Sequence, residues 1–249
     1  MKVVVIGGTG LIGSQVVALL QEQGHEALAA SPQSGVDVIT GVGLAEAFAG
    51  ADVVVDVTNS PVWEDQAVLD FFTTSTRNQL AAERAAGVGH HVALAIVGAE
   101  RLPGSGYLRA KVAQEQLIVE SGVPYSIVRA TQFFEFVSWI ADAATRDDGV
   151  HLAPIGFQPV AAADVARLVA ETAVGAPLDG TVEIAGAEKV RMDTFVAKVL
   201  ADRGDDRVVV ADPSVGYFGG AAVADEIVPA PDADPVIGAT SYADWEAGR

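Results

Sequence analysis

Apolar residues along the chain fall into two alternating patterns, short continuous runs and longer stretches with helical spacing. Val3 to Ile6 is an uninterrupted β-branched run, the signature of a strand buried on both faces of a parallel sheet. Behind it Leu11, Ile12, Val16, Leu19 and Leu20 recur at helical intervals. The same alternation predicts strands over 25–30, 36–40, 51–57, 91–97 and 124–129, with helices over 44–49, 66–86 and 107–121 between them. Gly24, Gly87 and Gly122 mark helix ends or turns. Strand and helix in strict alternation to residue 129 imply an α/β fold, with a doubly wound, mostly parallel Rossmann-like sheet and right-handed crossovers. Beyond Ala130 the pattern loosens. Phe133 to Phe136 opens another helix, 159–174 holds one that includes Asp164, 181–184 reads as a strand, and Asp193 would cap a helix running to about Asp202. The last forty residues, rich in proline and scattered acids, read as loop and solvated surface.

One domain spanning 1–249 is expected, with a core over about 1–150 and a smaller C-terminal substrate-binding segment over about 151–249. Half of the residues are hydrophobic but only 6% are aromatic, so the core is built from Ala, Val, Leu and Ile. With 15 basic and 33 acidic residues the net charge is −18, which disfavours nucleic acid and anionic membrane as partners. The absence of cysteine excludes disulfides, thiolate zinc sites and thiol catalysis. Residues 1–20 lack a charged n-region and a small-residue cleavage site, and no apolar run is long enough to span a bilayer, so a cytoplasmic protein is expected. A homo-oligomer is compatible with this composition.

Gly7, Gly10 and Gly13 stand between the first strand and the first helix. A dinucleotide pyrophosphate needs close backbone approach and free N–H groups at a helix N-terminus, so Gly7 would allow the turn, Gly10 the approach and Gly13 the helix packing. The tip of the second strand, Ala30 to Gly35, carries no acidic residue for a ribose diol. Ser31 and Ser34 offer hydroxyls to a phosphate instead, which favours NADP over NAD, although turn chemistry alone also explains these residues. The loop Thr58, Asn59, Ser60 follows an apolar strand and should face the same crevice as the glycine turn.

Tyr107 and Lys111 lie four residues apart on one helical face. A nearby ammonium favours phenolate, so Lys111 would lower the Tyr107 pKa and let the phenol exchange a proton with a substrate oxygen, while also holding a nicotinamide ribose. The bland alternative pairs Lys111 with Glu115 on a solvated face. His90 and His91 would point to opposite faces of a strand, which does not make a metal site. Phe133, Phe134 and Phe136 could share in lining an apolar pocket.

Gly-Gly-Thr-Gly-Leu-Ile-Gly at 7–13, Tyr107-x-x-x-Lys111 and the run from Ser121 to Glu135 resemble the atypical short-chain dehydrogenase/reductases, in particular their NmrA-like, NAD(P)-binding branch. The resemblance covers about residues 1–200. It implies a Rossmann-like domain, an NADP or NAD cofactor and a small-molecule substrate. By position it places Gly7, Thr9, Gly10, Leu11 and Ile12 along the pyrophosphate and 58–60 beside the adenosine and ribose. It also places Lys111 at the nicotinamide ribose and 131–133, with Thr131, at the nicotinamide. Two positions depart from the pattern. Ala95 stands where carbonyl reducers carry a serine, with Ser60 and Ser105 on other segments, and no arginine follows the second strand. The expected activity is NAD(P)H-dependent reduction of a small, mostly apolar carbonyl or quinone; the alternative is a redox-sensing dinucleotide-binding regulator acting through a protein partner.

Overall fold

The computed structural model describes residues 1–222 and 224–248. The chain folds as two interleaved compact units: 1–95, 110–129 and 163–182 form the first, and 96–109, 130–162 and 183–249 the second.

The first unit opens with β1 (Lys2–Ile6), α1 (Leu11–Glu22), β2 (Glu26–Ala30), α2 (Leu44–Phe48), β3 (Val53–Asp56) and α3 (Asp65–Ala86). β4 (His90–Ile96), α4 (Gly106–Val119) and β5 (Tyr125–Ala130) complete the alternation. In the second unit follow α5 (Val137–Ala143), β6 (Thr145–Arg146), β7 (Gly149–Leu152) and β8 (Gly156–Phe157). α6 (Ala162–Val174) and the start of β9 (Gly180–Ala185) return to the first unit, and β10 (Val190–Arg191), α7 (Met192–Asp202), β11 (Val209–Ala211), β12 (Val236–Ile237) and α8 (Tyr242–Ala247) belong to the second.

The sheet of the first unit has the order β9-β5-β4-β3-β1-β2. β1 pairs in parallel with β2 and β3, and β3 with β4, so the valines of β1 and β3 are wholly enclosed. This is the burial that continuous apolar runs require. On one face Leu44 and Phe48 of α2 close a core with Val4, Ile6 and Val54. Elsewhere Leu80, Ala93, Ala95, Ile118 and Ile127 form another cluster. In the second unit β12 pairs in parallel with Ile184 and Ala185 at the end of β9, and β11-β7-β6 form a separate small sheet.

Several local expectations change. Residues 36–40 are not a strand: Asp37 Oδ1 accepts from the Ile39 and Thr40 amides, and Gly41 and Gly43 take left-handed φ of +79°, so the segment coils. The Phe134–Phe136 stretch is a 3₁₀ turn leading into α5. Asp193 does not cap α7; it sits in the first turn, held by the Arg191 guanidinium at 2.8 Å, while Arg191 is the boundary residue. The C-terminal forty residues are not loop alone, since β12 and α8 form there, Ser241 capping α8 through a hydrogen bond from the Asp244 amide.

Candidate functional site

A β-carbon added to Gly13 would lie 2.2 Å from Gly7 O, and one on Gly8 2.7 Å from Ala29 Cα, so both glycines are demanded by close backbone approach. Gly7 has φ +78° and makes the turn, its amide donating to Ala30 O at 2.9 Å. Gly10 differs. Its φ of −81° suits any residue, and an added β-carbon would meet only Gly7 O at 3.3 Å. Thr9, Gly10 and Leu11 are exposed, while Ile12 and Gly13 are buried against the unit. No side chain caps α1 and its first turn holds no acid. An open glycine at an uncapped helix start leaves first-turn amides with no intrahelical acceptor, which is the donor set that a pyrophosphate uses.

Ser31, at the tip of β2, is buried and opens a capping box with Ser34; among the described residues its hydroxyl proton finds no acceptor. Ser34 is engaged locally: its Oγ accepts from the Ser31 amide and donates to Ser31 O, each at 2.9 Å. Of the two serines, Ser31 has the hydroxyl proton with no acceptor among the described residues. In the 58–60 loop, Thr58 Oγ1 donates to Asp56 Oδ1 at 2.6 Å, Asn59 Oδ1 accepts from the Ser60 amide, and Ser60 Oγ donates to Val62 O.

Lys111 is buried and turned inward. Its Nζ donates to Leu94 O at 2.8 Å and to Gln114 Oε1, and stands 4.6 Å from the centre of the Phe72 ring. Gln114 and Gln79 both donate to Asp56 Oδ2, so a buried polar chain joins the lysine to the end of β3. Burial lowers Lys111 to about 8, against the pull of Asp56 and Glu115. Glu115 pairs with Arg129 rather than with Lys111. Sequence reasoning overlooked this chain; the one signal was Asp56, an acid ending an all-valine strand.

Tyr107, one helical turn before Lys111, has its phenol pushed well above the usual tyrosine range by burial. The expected lowering is not found, because the lysine charge is directed to Leu94 O, Gln114 and Asp56. Ser105 Oγ accepts from the Leu108 amide at the start of α4. Ala95 faces the apolar cluster with Leu80 and Ile118, so a hydroxyl at 95 would enter the core.

In the second unit Thr131 Oγ1 donates to Gln158 O at 2.6 Å. Phe134 is core, stacked on Phe195 and flanked by Tyr242 and Trp245. Phe133 and Phe136 face each other with ring centres 5.5 Å apart, Phe136 exposed. A cavity of about 300 Å³ in this unit is bounded by Trp139, Ile140, Leu152, Met192, Tyr217 and Phe218, with Arg146 and His151 at its polar side. None of the three predicted phenylalanines lines it. Tyr107 reaches it through Phe218, ring centres 5.4 Å apart. Among the described residues no group of three acidic or histidine side chains could hold a metal, and no helix is long and apolar enough to cross a membrane.

A parallel α/β sheet with an uncapped, glycine-lined helix start after its first central strand defines a dinucleotide-binding protein of Rossmann type. Residues 7–174 match the NAD(P)H-binding family, and the chain belongs to it. It is 24% identical over 149 residues to the photosystem II assembly factor Ycf39 of Cyanophora paradoxa, covering 54% of this chain and 46% of that protein. The chain thus spans about half the length of that relative. Among solved structures it resembles MoeE5 in complex with UDP-glucose and NAD (18% identity, 90% and 88% of the two chains, TM-score 0.72). It also resembles the NADPH-dependent quinone oxidoreductase of Escherichia coli complexed with NADPH (19% identity, 85% and 78%, TM-score 0.67). At these identities the solved structures share the fold.

Proposed function

We propose that the protein is an NAD(P)H-dependent reductase of a small, mostly apolar carbonyl or quinone, of the NmrA-like branch of short-chain dehydrogenase/reductases. The observation that carries the dinucleotide half is the uncapped start of α1 with an open Gly10, beside the buried Ser31 hydroxyl beyond β2, whose proton has no acceptor among the described residues. Gly7, Thr9, Gly10, Leu11 and Ile12 would hold the pyrophosphate and 58–60 the adenosine side. Absence of an acid at 30–34, together with Ser31, favours NADPH over NADH. The bound cofactor would supply the hydride. Tyr107 would be the proton donor to the substrate oxygen; burial keeps its phenol protonated at neutral pH and makes it a weaker acid than a free tyrosine. Lys111 would orient the nicotinamide ribose after exchanging its bond to Leu94 O for one to the ribose.

The test is a panel of quinones, aldehydes and ketones followed by NADPH absorbance. Wild type should turn over at least one of them, Tyr107→Phe should lower kcat 10²-fold or more, and Lys111→Ala should raise the KM for NADPH. Full kcat in Tyr107→Phe removes the donor role. A second reading, a redox-responsive regulator acting through a protein partner, is favoured by the inward-turned Lys111 and by the apolar surroundings of Ala95. It predicts different affinities for NADPH and NADP⁺ with no turnover on the whole panel.

A further inference from the structure

The cavity of the second unit is walled by an aromatic residue in a conformation that its side chain disfavours. Tyr217 N donates to Gly220 O at 2.7 Å and Gly220 N to Tyr217 O at 3.0 Å, closing a two-residue hairpin turn over Phe218 and Gly219. Both central residues are left-handed, with φ of 47° at Phe218 and 78° at Gly219, the type I′ pattern. Asn, Asp or Gly normally takes the first central position, because a β-carbon crowds the following carbonyl there. A bulky residue held in this region points to a function for its side chain.

The Phe218 ring offsets the strain by packing. It lies 5.8 Å from Trp139 in a stacked arrangement, 4.8 Å from Tyr217 edge-on and 5.4 Å from Tyr107. The turn cannot be shifted freely, since a β-carbon at Gly216 would lie 2.0 Å from Gly220 O and one at Gly220 3.1 Å from Ser105 N. Phe218 is therefore fixed at the edge of a cavity whose other walls include Trp139, Ile140, Leu152 and Met192. A volume of about 300 Å³ is at the lower end for ligand pockets, room for one or two fused rings.

At the polar side charges cancel. His151 donates from Nδ1 to Asp212 at 3.0 Å and from Nε2 to Asp148 at 2.8 Å, and Arg146 Nη1 lies 3.4 Å from Asp212. Donation from both ring nitrogens requires the imidazolium, so two cations face two carboxylates. A charged ligand finds no unanswered opposite charge, whereas a carbonyl oxygen can accept from the other N–H groups of the Arg146 guanidinium.

We propose that this cavity is a binding site for a flat, uncharged ring bearing a carbonyl oxygen, with Phe218 as its specificity-determining wall and Arg146 as donor to the oxygen. The proposal deepens the reductase reading by naming its substrate class and site, and it rests on that reading for turnover but not for binding. The probes are 1,4-naphthoquinone and, as the charged counterpart, 1-naphthoate, each titrated calorimetrically into the full chain without cofactor. The lack of cysteine removes thiol arylation by the quinone. Wild type should bind naphthoquinone, and naphthoate at least tenfold more weakly. Phe218→Gly, which suits the turn, should keep or raise the thermal midpoint while weakening naphthoquinone at least tenfold. Ala143→Trp, at an exposed position on the cavity wall, should fill it and weaken binding as much. No binding to wild type, equal affinity for the two probes, or unchanged affinity in both variants overturns the site. If naphthoquinone binds as described but neither it nor any other compound of the panel is reduced with NADPH, the reductase reading fails and the site stands. If it is reduced while both variants keep the wild-type KM, the site fails and the reductase reading stands.

Discussion

Gly10 and Gly13 occupy one motif and do different work. Gly13 lets α1 lie against the turn, and its replacement by Ala would drive a methyl to 2.2 Å from Gly7 O. That contact is with backbone, which cannot swing aside, so Gly13→Ala should lose more than about 2 kcal/mol of stability in a denaturant titration. Gly10→Leu should cost less than about 1 kcal/mol, because only Gly7 O at 3.3 Å approaches the new β-carbon and the φ of −81° is ordinary. Its cost falls on the ligand, and calorimetry should find NADPH binding abolished in a chain that melts like wild type. A Gly10→Leu variant with wild-type affinity would remove the pyrophosphate from this turn. Lys111 belongs at the same scale, since its spacing from Tyr107 was legible in the sequence while the direction of its side chain was not.

Among the elements, the tip of β2 separates two serines that look equivalent in the chain. Ser34 closes the 3₁₀ turn that follows β2, whereas the proton of the buried Ser31 hydroxyl finds no acceptor among the described residues. An unpaired buried hydroxyl costs about 1 kcal/mol or more, so Ser31→Ala should leave the cofactor-free protein as stable or slightly more so. If that hydroxyl serves NADPH, the same change should weaken NADPH binding about tenfold and NADH less. Equal effects on the two cofactors would assign Ser31 to a part that they share. The Tyr217–Gly220 turn shows a comparable division: Gly219 satisfies local geometry, while Phe218 opposes it and is kept by the rings around it.

For the whole molecule, two adjacent histidines in β4 set opposite pH responses. Burial, aided by the neighbouring His91, holds His90 down to about 4; Ser126 Oγ accepts from the Leu178 amide and shares a hydrogen bond with His90 Nε2 at 2.8 Å. Burial alone would lower His91, but the Glu83 carboxylate at 2.8 Å holds it above its ordinary value. The signs follow from linkage. The His91 pair contributes stability that is complete below 6.5 and is lost as pH rises through its folded value. His90 acts in the other direction: below 6.5 the unfolded chain takes up a proton that the folded chain refuses until about 4. Between pH 6.5 and 5 this should remove about 2 kcal/mol, seen as a falling thermal midpoint. His90→Gln should flatten that slope, and an unaltered slope would show that other groups cause it.

What the sequence determined by itself is everything with a local cause. Continuous valine runs at β1 and β3 have no stable place except inside a parallel sheet, and glycines at 7, 10 and 13 between a strand and a helix specify a turn open to an anion. Family membership was legible for the same reason. Misreadings arose where a local pattern had two outlets. Residues 36–40 are apolar enough for a strand, but the Asp37 side chain captures their amides. Asp193 could cap a helix, but Arg191 binds it. Only tertiary structure decided where side chains with a choice of partner would turn. It directed Lys111 to Leu94 O, Gln114 and Asp56, placed Phe134 in the core, and assembled a cavity from Trp139, Met192 and Phe218. Those residues lie on segments distant in the chain, and no periodicity within a segment records what another segment will bring against it.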